Sequence, residues 1–435
     1  MIISGWANNS SIKSKIYYPR NDHDIKKIFK TLENENIITR GLGRSYGDIS
    51  LNKNILSLEK YEKYFNLNEI EGTLECTANT SIGEILKKIV NKGWLLNISP
   101  GSKFVTMGGA IANDVHGKNH HKDGSFSDYV KDIKMITSDG IIRECSNKVN
   151  QELFRATCGG AGLTGVIIRV KLKLFKIESK NLDVKIFKTK NINETLKMFK
   201  ELQNNKYIVA WLDTLNKKNY GKAVIFSAEH SKDNDFNYLP RRSFTLPTFF
   251  GKFLMNNYFM SIFNRIYYLM HKNDTSIKKD LDSFFYPLDM VFNLNKLYGK
   301  KGFTQIQILI KDKEKYRYDE ILVKIFNFFN DKKIYSFLTT LKEYGKGNEN
   351  YLSFPEKGVC IALDVPLSDN FSKVYKEFEK LTSNYNLKIY LAKDSFMSKS
   401  FFKNSYDKVT LFDEYKKKID PNSKFQSIQS KRLGL

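Results

Sequence analysis

Two glycine-rich segments contain the residues of this sequence whose types and spacing best suit cofactor chemistry. The first spans residues 40–48 (RGLGRSYGD), and the second spans residues 100–121 (PGSKFVTMGGAIANDVHGKNHH). Because glycine adopts positive φ and has no Cβ, such loops let the backbone approach a large phosphate-bearing ligand closely. The second segment ends with His116, His120 and His121, three of the six histidines in the chain. The pattern predicts a cradle of two loops around a cofactor.

Other chemistries fit the spacing of these residues less well. A zinc site would need further ligands, and only Asp114 and Asp123 lie near the histidines, so we predict no metal. Residues 160–165 (GAGLTG) match the dinucleotide fingerprint, but a predicted helix precedes them and a β-branched strand follows, the reverse of the order required. The sequence contains no GxSxG motif of a hydrolase.

The composition predicts a globular protein with two lobes. The chain has 435 residues, of which 41% are hydrophobic, and a chain of this length exceeds the size of a single core. The net charge of +24 accompanies abundant Lys, Asn, Ile, Phe and Tyr, as in proteins from AT-rich genomes. We interpret it as a solvated basic surface, with an acidic ligand or an anionic membrane as the alternative.

The N-terminal sequence and the cysteines bear on localisation. The four cysteines are scattered, without the spacing of a zinc site or a disulfide framework. Residues 1–6 (MIISGW) lack the features of a signal peptide, and no apolar run has the length of a membrane span. We expect a cytoplasmic protein, or one that is peripheral at the inner face of the plasma membrane.

The periodicity of the chain indicates an α+β fold in which a glycine-rich lobe precedes a second lobe of sheet and helices. Ser81 and Glu84 have the spacing of a capping box, and residues 138–140 (SDG) suit a hairpin turn. The expected helices are 24–34, 81–93, 151–157, 192–203 and 314–330. The expected strands are 36–40, 74–78, 130–137, 141–144, 166–175, 182–188, 207–215, 303–310, 359–365 and 388–393.

Residues 241–272 are aromatic and apolar, with basic residues near both ends. We interpret this segment as a buried helix of the second lobe, because aromatic residues at helical spacing usually belong to a core. The alternative is a lipid-binding groove or a membrane-contacting surface.

Taken together, the motifs resemble those of FAD-dependent oxidoreductases of the vanillyl-alcohol oxidase type. Within that superfamily the chain is similar to the decaprenylphosphoryl-β-D-ribose oxidases, the flavin subunits of an epimerase. The resemblance covers nearly the whole chain, and its most specific parts are HGKNHH (116–121) and AKDS (392–395). Its other parts are GLGRSYGD (41–48), GGAIA (108–112), GSF (124–126), CGGAGLTG (158–165), AWLD (210–213), YPLD (286–289), GFTQIQ (302–307), LSFP (352–355), YLAKDS (390–395) and KRL (431–433).

The resemblance implies a two-lobed fold with a PCMH-type FAD-binding domain (1–175), an antiparallel-sheet-plus-helices substrate domain (176–388) and a C-terminal segment (389–435) that returns to the FAD site. It also implies the residues of both sites. The implied FAD-binding residues are Arg40, Gly41, Leu42, Gly43, Arg44, Ser45, Tyr46, Gly47, Asp48, Gly101, Thr106, Met107, Gly108, Gly109, Asn113, Asp114, Val115, His116, Gly117, Ile167 and Tyr390. The implied substrate-side residues are Lys393, Gln307, Gln305, Tyr46, His116, Lys118, Cys360 and Trp211.

The resemblance further implies the reaction. The 2-hydroxyl of the ribose of a polyprenyl-phosphate pentose is oxidised to a keto sugar, and a separate NAD(P)H-dependent short-chain reductase completes the epimerisation in cell-envelope sugar (arabinan) biosynthesis. A flavin oxidation needs the carbinol C–H to be aimed at the flavin and a polar group to take the hydroxyl proton. Lys393, Gln305 and Gln307 are the candidates for that role.

Two positions depart from the family patterns. Many relatives carry a histidine in the first glycine loop that attaches FAD covalently, whereas Arg44 stands there, so we predict non-covalent FAD. The family's Tyr-His before Pro-Leu-Asp is replaced by Phe285-Tyr286, and the lipid or the sugar of the substrate therefore stays open.

Two other functions remain as alternatives. The first is a soluble sugar, alditol or aldonolactone oxidase of the same superfamily. The second is a non-catalytic basic protein that binds nucleic acid, which no recognisable module supports.

Overall fold

The computed structural model describes residues 1–217, 220–248, 251, 257–312, 317–336 and 338–435. The first part of the chain forms an antiparallel sheet whose central strand is the long Val166–Lys176. Alternate residues of this strand are buried, as expected for a strand with one face on a core. The strands of this sheet, in spatial order, are Ile142–Cys145, Val130–Ile136, Val166–Lys176, Thr73–Thr77 and Phe65–Asn68, and Trp94–Leu96 pairs with the end of the central strand.

Two smaller sheets complete the first lobe. Lys15–Tyr17, Asn54–Ser57 and Ile38–Arg40 form a parallel sheet, and Ile2–Ser4 pairs with Ser11–Lys13. The parallel strand Ile38–Arg40 ends where the first glycine loop begins. The helices of this lobe are Asp22–Thr31, Ile82–Ile89, Met107–Ala112, His120–Asp123 and Gln151–Thr157.

The second lobe is built on an antiparallel sheet. Its eight described strands, in spatial order, are Thr275–Asp280, Asn181–Thr189, Lys222–His230, Tyr207–Asp213, Leu338–Tyr344, Gly358–Pro366, Phe303–Lys311 and Leu387–Ile389. The helices of this part and of the C-terminal segment are Ile192–Leu202, Asn257–Met270, Leu281–Phe285, Tyr318–Asp331, Phe371–Thr382, Lys399–Ser405, Val409–Ile419 and Ile428–Leu433. The molecule therefore has the expected two-lobed α+β fold. The exact domain boundaries stay a prediction.

Several local predictions are confirmed. The helix Gln151–Thr157 has the expected bounds, and Val130–Ile136 and Ile142–Cys145 form the expected hairpin, with Gly140 at positive φ. Ser81 caps the helix Ile82–Ile89 through a capping box with Glu84. The Glu84 carboxylate accepts from the Ser81 amide at 2.7 Å.

Two predictions about the second half are wrong. The strand expected at 388–393 ends at Ile389, and the next residues form turns in which the Lys393 amide donates to the Tyr390 carbonyl. The helix Asn257–Met270 is not buried in the core, because apart from a stripe that includes Met260 and Asn264 its side chains are exposed. The rest of segment 241–272 is only partly covered, since residues 249–250 and 252–256 lie outside the described residues.

The helix predicted at 314–330 is observed as Tyr318–Asp331, and residues 313–316 at its expected start lie outside the described residues. Within the described part of the chain, no helix is long and apolar enough to cross a membrane.

Candidate active site

A single cleft of about 820 Å3 is lined by both glycine-rich segments and by the large sheet of the second lobe. This volume lies within the range of roughly 300–1,000 Å3 for ligand pockets. The cleft is therefore the place where the residues predicted from the sequence meet.

The first glycine loop lines the cleft between the end of the strand Ile38–Arg40 and Tyr46. Arg40 is fixed behind it, since its guanidinium donates to Ser50 Oγ at 3.0 Å and to the Ser4 carbonyl at 2.8 Å. Gly41 is required by space, because a Cβ there would come within 2.4 Å of Thr106 Oγ1. The two glycine-rich segments thus touch each other along the cleft.

The second segment lines the cleft from Gly101 to Lys118. The short helix Met107–Ala112 starts at Thr106, whose hydroxyl accepts from the Gly109 amide at 3.3 Å. Its glycines allow close packing on the first lobe, where a Cβ on Gly108 would meet the Ala78 Cβ at 3.2 Å.

Two strands of the large sheet present polar side chains to the cleft. Gln305 and Gln307 lie on the strand Phe303–Lys311, paired with Asp364 and Ala362 of the strand Gly358–Pro366. The period of two residues places both glutamines on the same face. Cys360 and Trp211 line the same cleft from their own strands.

Lys393 enters the cleft from the turn that follows Ile389. Its Nζ lies 3.3 Å from the centre of the Tyr46 ring, and the Tyr46 amide donates to the neighbouring Ala392 carbonyl at 2.9 Å. Burial lowers the pKa of Lys393 to about 7, although the charge of Asp364 opposes this shift. Burial raises the pKa of Asp364, which accepts a hydrogen bond from Gln305. A lysine amine that can be neutral near pH 7 thus faces the cleft.

His116 is held by Gln307. The Gln307 amide nitrogen lies 2.7 Å from His116 Nε2, and since an amide NH2 can only donate, Nε2 accepts and the ring proton resides on Nδ1. Burial, with the charge of Lys342 next in importance, lowers the pKa of His116, so the ring is neutral. Its Nδ1 has no hydrogen-bond partner among the described residues and is available as a donor.

Lys118 follows His116 by two residues in the second glycine-rich segment and also lines the cleft. Its Nζ donates to the Phe285 carbonyl at 3.1 Å. Burial, together with the charges of Lys342 and Lys279, lowers the pKa of Lys118 to about 7.

Most of the residues implied by the resemblance line the cleft, including all eight on the substrate side. Ile167, Tyr390, Asn113 and Val115 also line it, and the Tyr390 hydroxyl donates to the Asn113 carbonyl at 3.0 Å. The other two histidines have separate partners, since His120 contacts Ser125 and the Gly345 amide and His121 contacts the Asn205 carbonyl.

Five residues expected to bind FAD do not line the cleft: Gly47, Asp48, Met107, Asp114 and Gly117. The structure gives them supporting positions. Met107 is fully buried in the core, Asp48 pairs with Arg432 at 3.0 Å, and Asp114 accepts from Ser353 Oγ at 2.6 Å.

The two glycines in this group are packed against other segments. A Cβ on Gly47 would meet the Asp394 carbonyl at 2.0 Å, and one on Gly117 would lie 3.1 Å from the Ser99 carbonyl.

Sequence reasoning missed several residues of the substrate side. Asp364 and Tyr344 contact Gln305 and Gln307, and Lys279 and Lys342 line the cleft. The strands that carry Tyr344, Lys342 and Lys279 were not predicted. Asp364 had a signal in the sequence. Residues 360–364 (CIALD) alternate, which places the three small or polar residues Cys360, Ala362 and Asp364 on one face of their strand.

The cleft wall has unsatisfied polar groups that fit a large polar cofactor. Thr39 Oγ1, Arg44 Nε, Asn79 Oδ1 and His116 Nδ1 are buried without a partner among the described residues, and all four residues line the cleft. The backbone amides of residues 41–45 likewise donate to no other group in the described chain. Buried donors and acceptors are rarely left unpaired, so the wall is complementary to a large ligand that offers both acceptors and donors.

Comparison with known proteins identifies the cofactor. Residues 14–146 match the family model of an FAD binding domain. The chain is 28% identical to decaprenylphosphoryl-beta-D-ribose oxidase of Mycolicibacterium smegmatis over 92% of this chain and 89% of that protein. It is 26% identical to L-gulonolactone oxidase of Scyliorhinus torazame over 39% of each chain. A putative D-arabinono-1,4-lactone oxidase of Neurospora crassa is 22% identical over 39% of this chain and 31% of its own length.

Proposed function

We propose that this FAD-dependent oxidoreductase oxidises the 2-hydroxyl of a polyprenyl-phosphate pentose, of the decaprenylphosphoryl-ribose type, to the keto sugar. One observation carries the proposal. The cleft joins a polar end, with Gln305, Gln307 and Lys393, to an apolar wall that includes Phe263 and Tyr267 of the helix Asn257–Met270. A sugar linked to a long hydrocarbon has the same two halves.

The residues of the polar end have separable tasks in this reaction. FAD, when bound, supplies the acceptor for the hydride of the carbinol C–H. Lys393, as the neutral amine, takes the hydroxyl proton, and the Gln305 and Gln307 amides orient the sugar. Lys393 then releases the proton to solvent when the keto sugar leaves.

The cleft wall supports a proposal for the FAD-binding residues. We propose that the residues of the first glycine loop that line the cleft, together with Gly101, Thr106, Gly108, Gly109, Asn113, Val115 and His116, hold the cofactor. Ile167 and Tyr390 would contact it from the two lobes.

The helix Asn257–Met270 supports a contact with the membrane. Its large apolar side chains Phe259, Ile266 and Leu269 are exposed, and large exposed apolar patches mark interaction surfaces. We propose that this helix receives the polyprenyl tail at a membrane surface, to which basic residues near it, such as Arg241 and Lys272, are attracted.

The keto sugar must be reduced if the product is an epimer. We propose a separate NAD(P)H-dependent short-chain reductase as the functional partner. Adding such a reductase with NADH should convert the keto product into the arabino epimer, and formation of the ribo sugar alone would contradict the epimerase role.

The test of the proposed function is direct turnover. The holoenzyme should oxidise farnesylphosphoryl-β-D-ribose with a dye acceptor, giving a product two mass units lighter. The lactone oxidases among the relatives support a second candidate, oxidation of a free alditol or aldonolactone. Faster turnover of L-gulono-1,4-lactone or xylitol with release of hydrogen peroxide would favour that function instead.

A further inference from the structure

Three lysines without acidic partners line the cleft on its substrate side. Lys118 follows His116 in the second glycine-rich segment, Lys279 lies on the edge strand Thr275–Asp280, and Lys342 lies on the strand Leu338–Tyr344. Within the described residues, none of the three forms an ion pair. Three separate elements thus present cations to one cavity.

The lysines are close enough to repel one another. The charges of both Lys279 and Lys342 lower the pKa of Lys118, and burial lowers the pKa of all three. Among the described residues, three carboxylate residues line the cleft: Glu84 pairs with Lys63 at 2.9 Å, Asp289 accepts from the Lys103 amide at 2.7 Å, and Glu59 belongs to the short helical turn Leu58–Lys60 of the first lobe.

It is unfavourable to hold three lysine ammonium groups close together in a cavity that is partly shielded from water, unless an anion binds among them.

Two of the three lysines lie near aromatic rings. Lys279 Nζ lies 4.8 Å from the centre of the Phe226 ring, and Lys118 Nζ lies 5.2 Å from that of Phe284. Phe226 and Phe284 line the cleft together with Tyr267 of the apolar wall. Lys118 and Lys279 therefore adjoin aromatic rings of the cleft, whereas the charge of Lys342 also acts on Lys393 at the polar end.

We infer that Lys118, Lys279 and Lys342 form a site for the phosphodiester of a lipid-linked sugar, positioned between the sugar at the polar end and the hydrocarbon on the apolar wall. This inference rests on the proposed function and assigns a chemical group of the substrate to named residues. A lysine ammonium is a compact donor suited to phosphate.

Binding of farnesyl phosphate to the FAD-loaded enzyme tests the site independently of turnover. Flavin fluorescence should report its dissociation constant, with farnesol as the uncharged comparison. Lys279→Gln and Lys342→Gln should each weaken farnesyl phosphate binding by about tenfold and leave farnesol binding unchanged. Lys278→Gln is the matched control, because Lys278 is on the same strand but is exposed and pairs with Asp233 at 2.7 Å.

The outcomes separate the possible sources of the anion. Unchanged binding of farnesyl phosphate in both variants would overturn the inference. So would a loss of bound FAD, measured by its visible absorbance, because the lysines would then serve the pyrophosphate of the cofactor. Inorganic phosphate that binds as tightly as farnesyl phosphate would show a free-phosphate site and would also overturn it.

The experiment also separates this inference from the proposed function. If the holoenzyme does not oxidise farnesylphosphoryl-ribose but binds farnesyl phosphate through the lysines, the proposed reaction fails and the anion site stands. If it oxidises that substrate and the variants keep the wild-type KM, the reaction stands and the anion site fails.

Discussion

Lys393 and Asp364 show how burial can prepare an amine for proton transfer. The lysine has no ion pair in the described chain, and the carboxylate that favours its charged form is itself held by Gln305. Desolvation disfavours the ammonium, and a base works best when its pKa is near the operating pH.

The pH dependence follows from this pair. Because burial lowers the pKa of Lys393 to about 7, the neutral amine forms as the pH rises, and kcat/KM should increase between about pH 6 and 8. In Asp364→Asn the carboxylate that raises this pKa is gone, so the rising limb should move to lower pH. A limb that moves to higher pH, or one that persists in Lys393→Met, would contradict the role of Lys393.

Lys393→Met should also lower kcat by about 10²- to 10⁴-fold, the usual contribution of a general base. The FAD content should stay that of the wild type, since the substitution removes the amine and keeps an unbranched side chain. Steady-state kinetics on farnesylphosphoryl-ribose, normalised to bound flavin, checks this. A normal kcat with a raised KM would make Lys393 a binding residue only.

Arg44 bears on how FAD is attached. It stands where many members of the superfamily that the chain resembles carry the histidine that binds flavin covalently. Its guanidinium lies over the Phe104 ring, 4.9 Å from the ring centre. Acid precipitation of the protein should therefore release all flavin into the supernatant. Yellow colour retained in the pellet would contradict the prediction and make His116 the first residue to examine.

At the scale of elements, the C-terminal helix Ile428–Leu433 connects the two loops that meet in the cleft. Arg432 bridges Asp48 at 3.0 Å, from the end of the first glycine loop, and Asp394 at 2.9 Å, next to Lys393. Gln429 of the same helix donates to the Leu391 carbonyl at 2.8 Å. The turn that carries Lys393 is thus held by a helix that follows it in sequence.

Arg432→Leu should lower the free energy of unfolding by about 3 kcal/mol, because it leaves two buried carboxylates without their cation. Urea denaturation measures this change, and Lys431→Gln, on the same helix but exposed, should change it by less than about 0.5 kcal/mol. Equal stability of the two variants would show that the bridge contributes nothing.

The helix Asn257–Met270 is the element that the proposed membrane contact depends on. Replacing its exposed apolar residues (Phe259→Ser, Ile266→Ser and Leu269→Ser together) should reduce binding to anionic vesicles in a sedimentation assay, because apolar area inserted at the interface is lost. Turnover of a soluble farnesyl substrate should fall less than that of a decaprenyl one. Leu411→Ser, an equally exposed position on the helix Val409–Ile419, is the control, and equal vesicle binding in both variants would exclude the helix as the contact.

At the scale of the molecule, FAD should act as part of the structure, because residues of both lobes line its cleft. A ligand at a thousandfold excess over its dissociation constant stabilises the folded state by about 4 kcal/mol. At roughly 2–4 °C per kcal/mol, removing FAD should lower Tm on the order of 10 °C. Calorimetry of the apoprotein with and without added FAD measures this, and a Tm unchanged by excess FAD would contradict binding of the cofactor to the folded protein.

Local sequence determined much of the first lobe. The capping box at Ser81, the Ser138-Asp139-Gly140 turn and the strand Val166–Lys176 depend on residues a few positions apart, so propensity and spacing predict them. Both glycine-rich segments were also recognisable from composition, because a backbone that approaches a ligand cannot carry a Cβ.

Only the tertiary structure decided which of these residues face the cleft and which like charges lie close enough to repel one another. Met107 and Asp114 belong to the same motif as His116 but point into the core, and the short strand and turns around Lys393 are stabilised by Tyr46 and Arg432, which are distant in sequence. Lys279 and Lys342 stand among many other lysines in the printed sequence. Their role depends on the order of strands in the large sheet. That order decides which charges lie near each lysine, and no local sequence pattern encodes it.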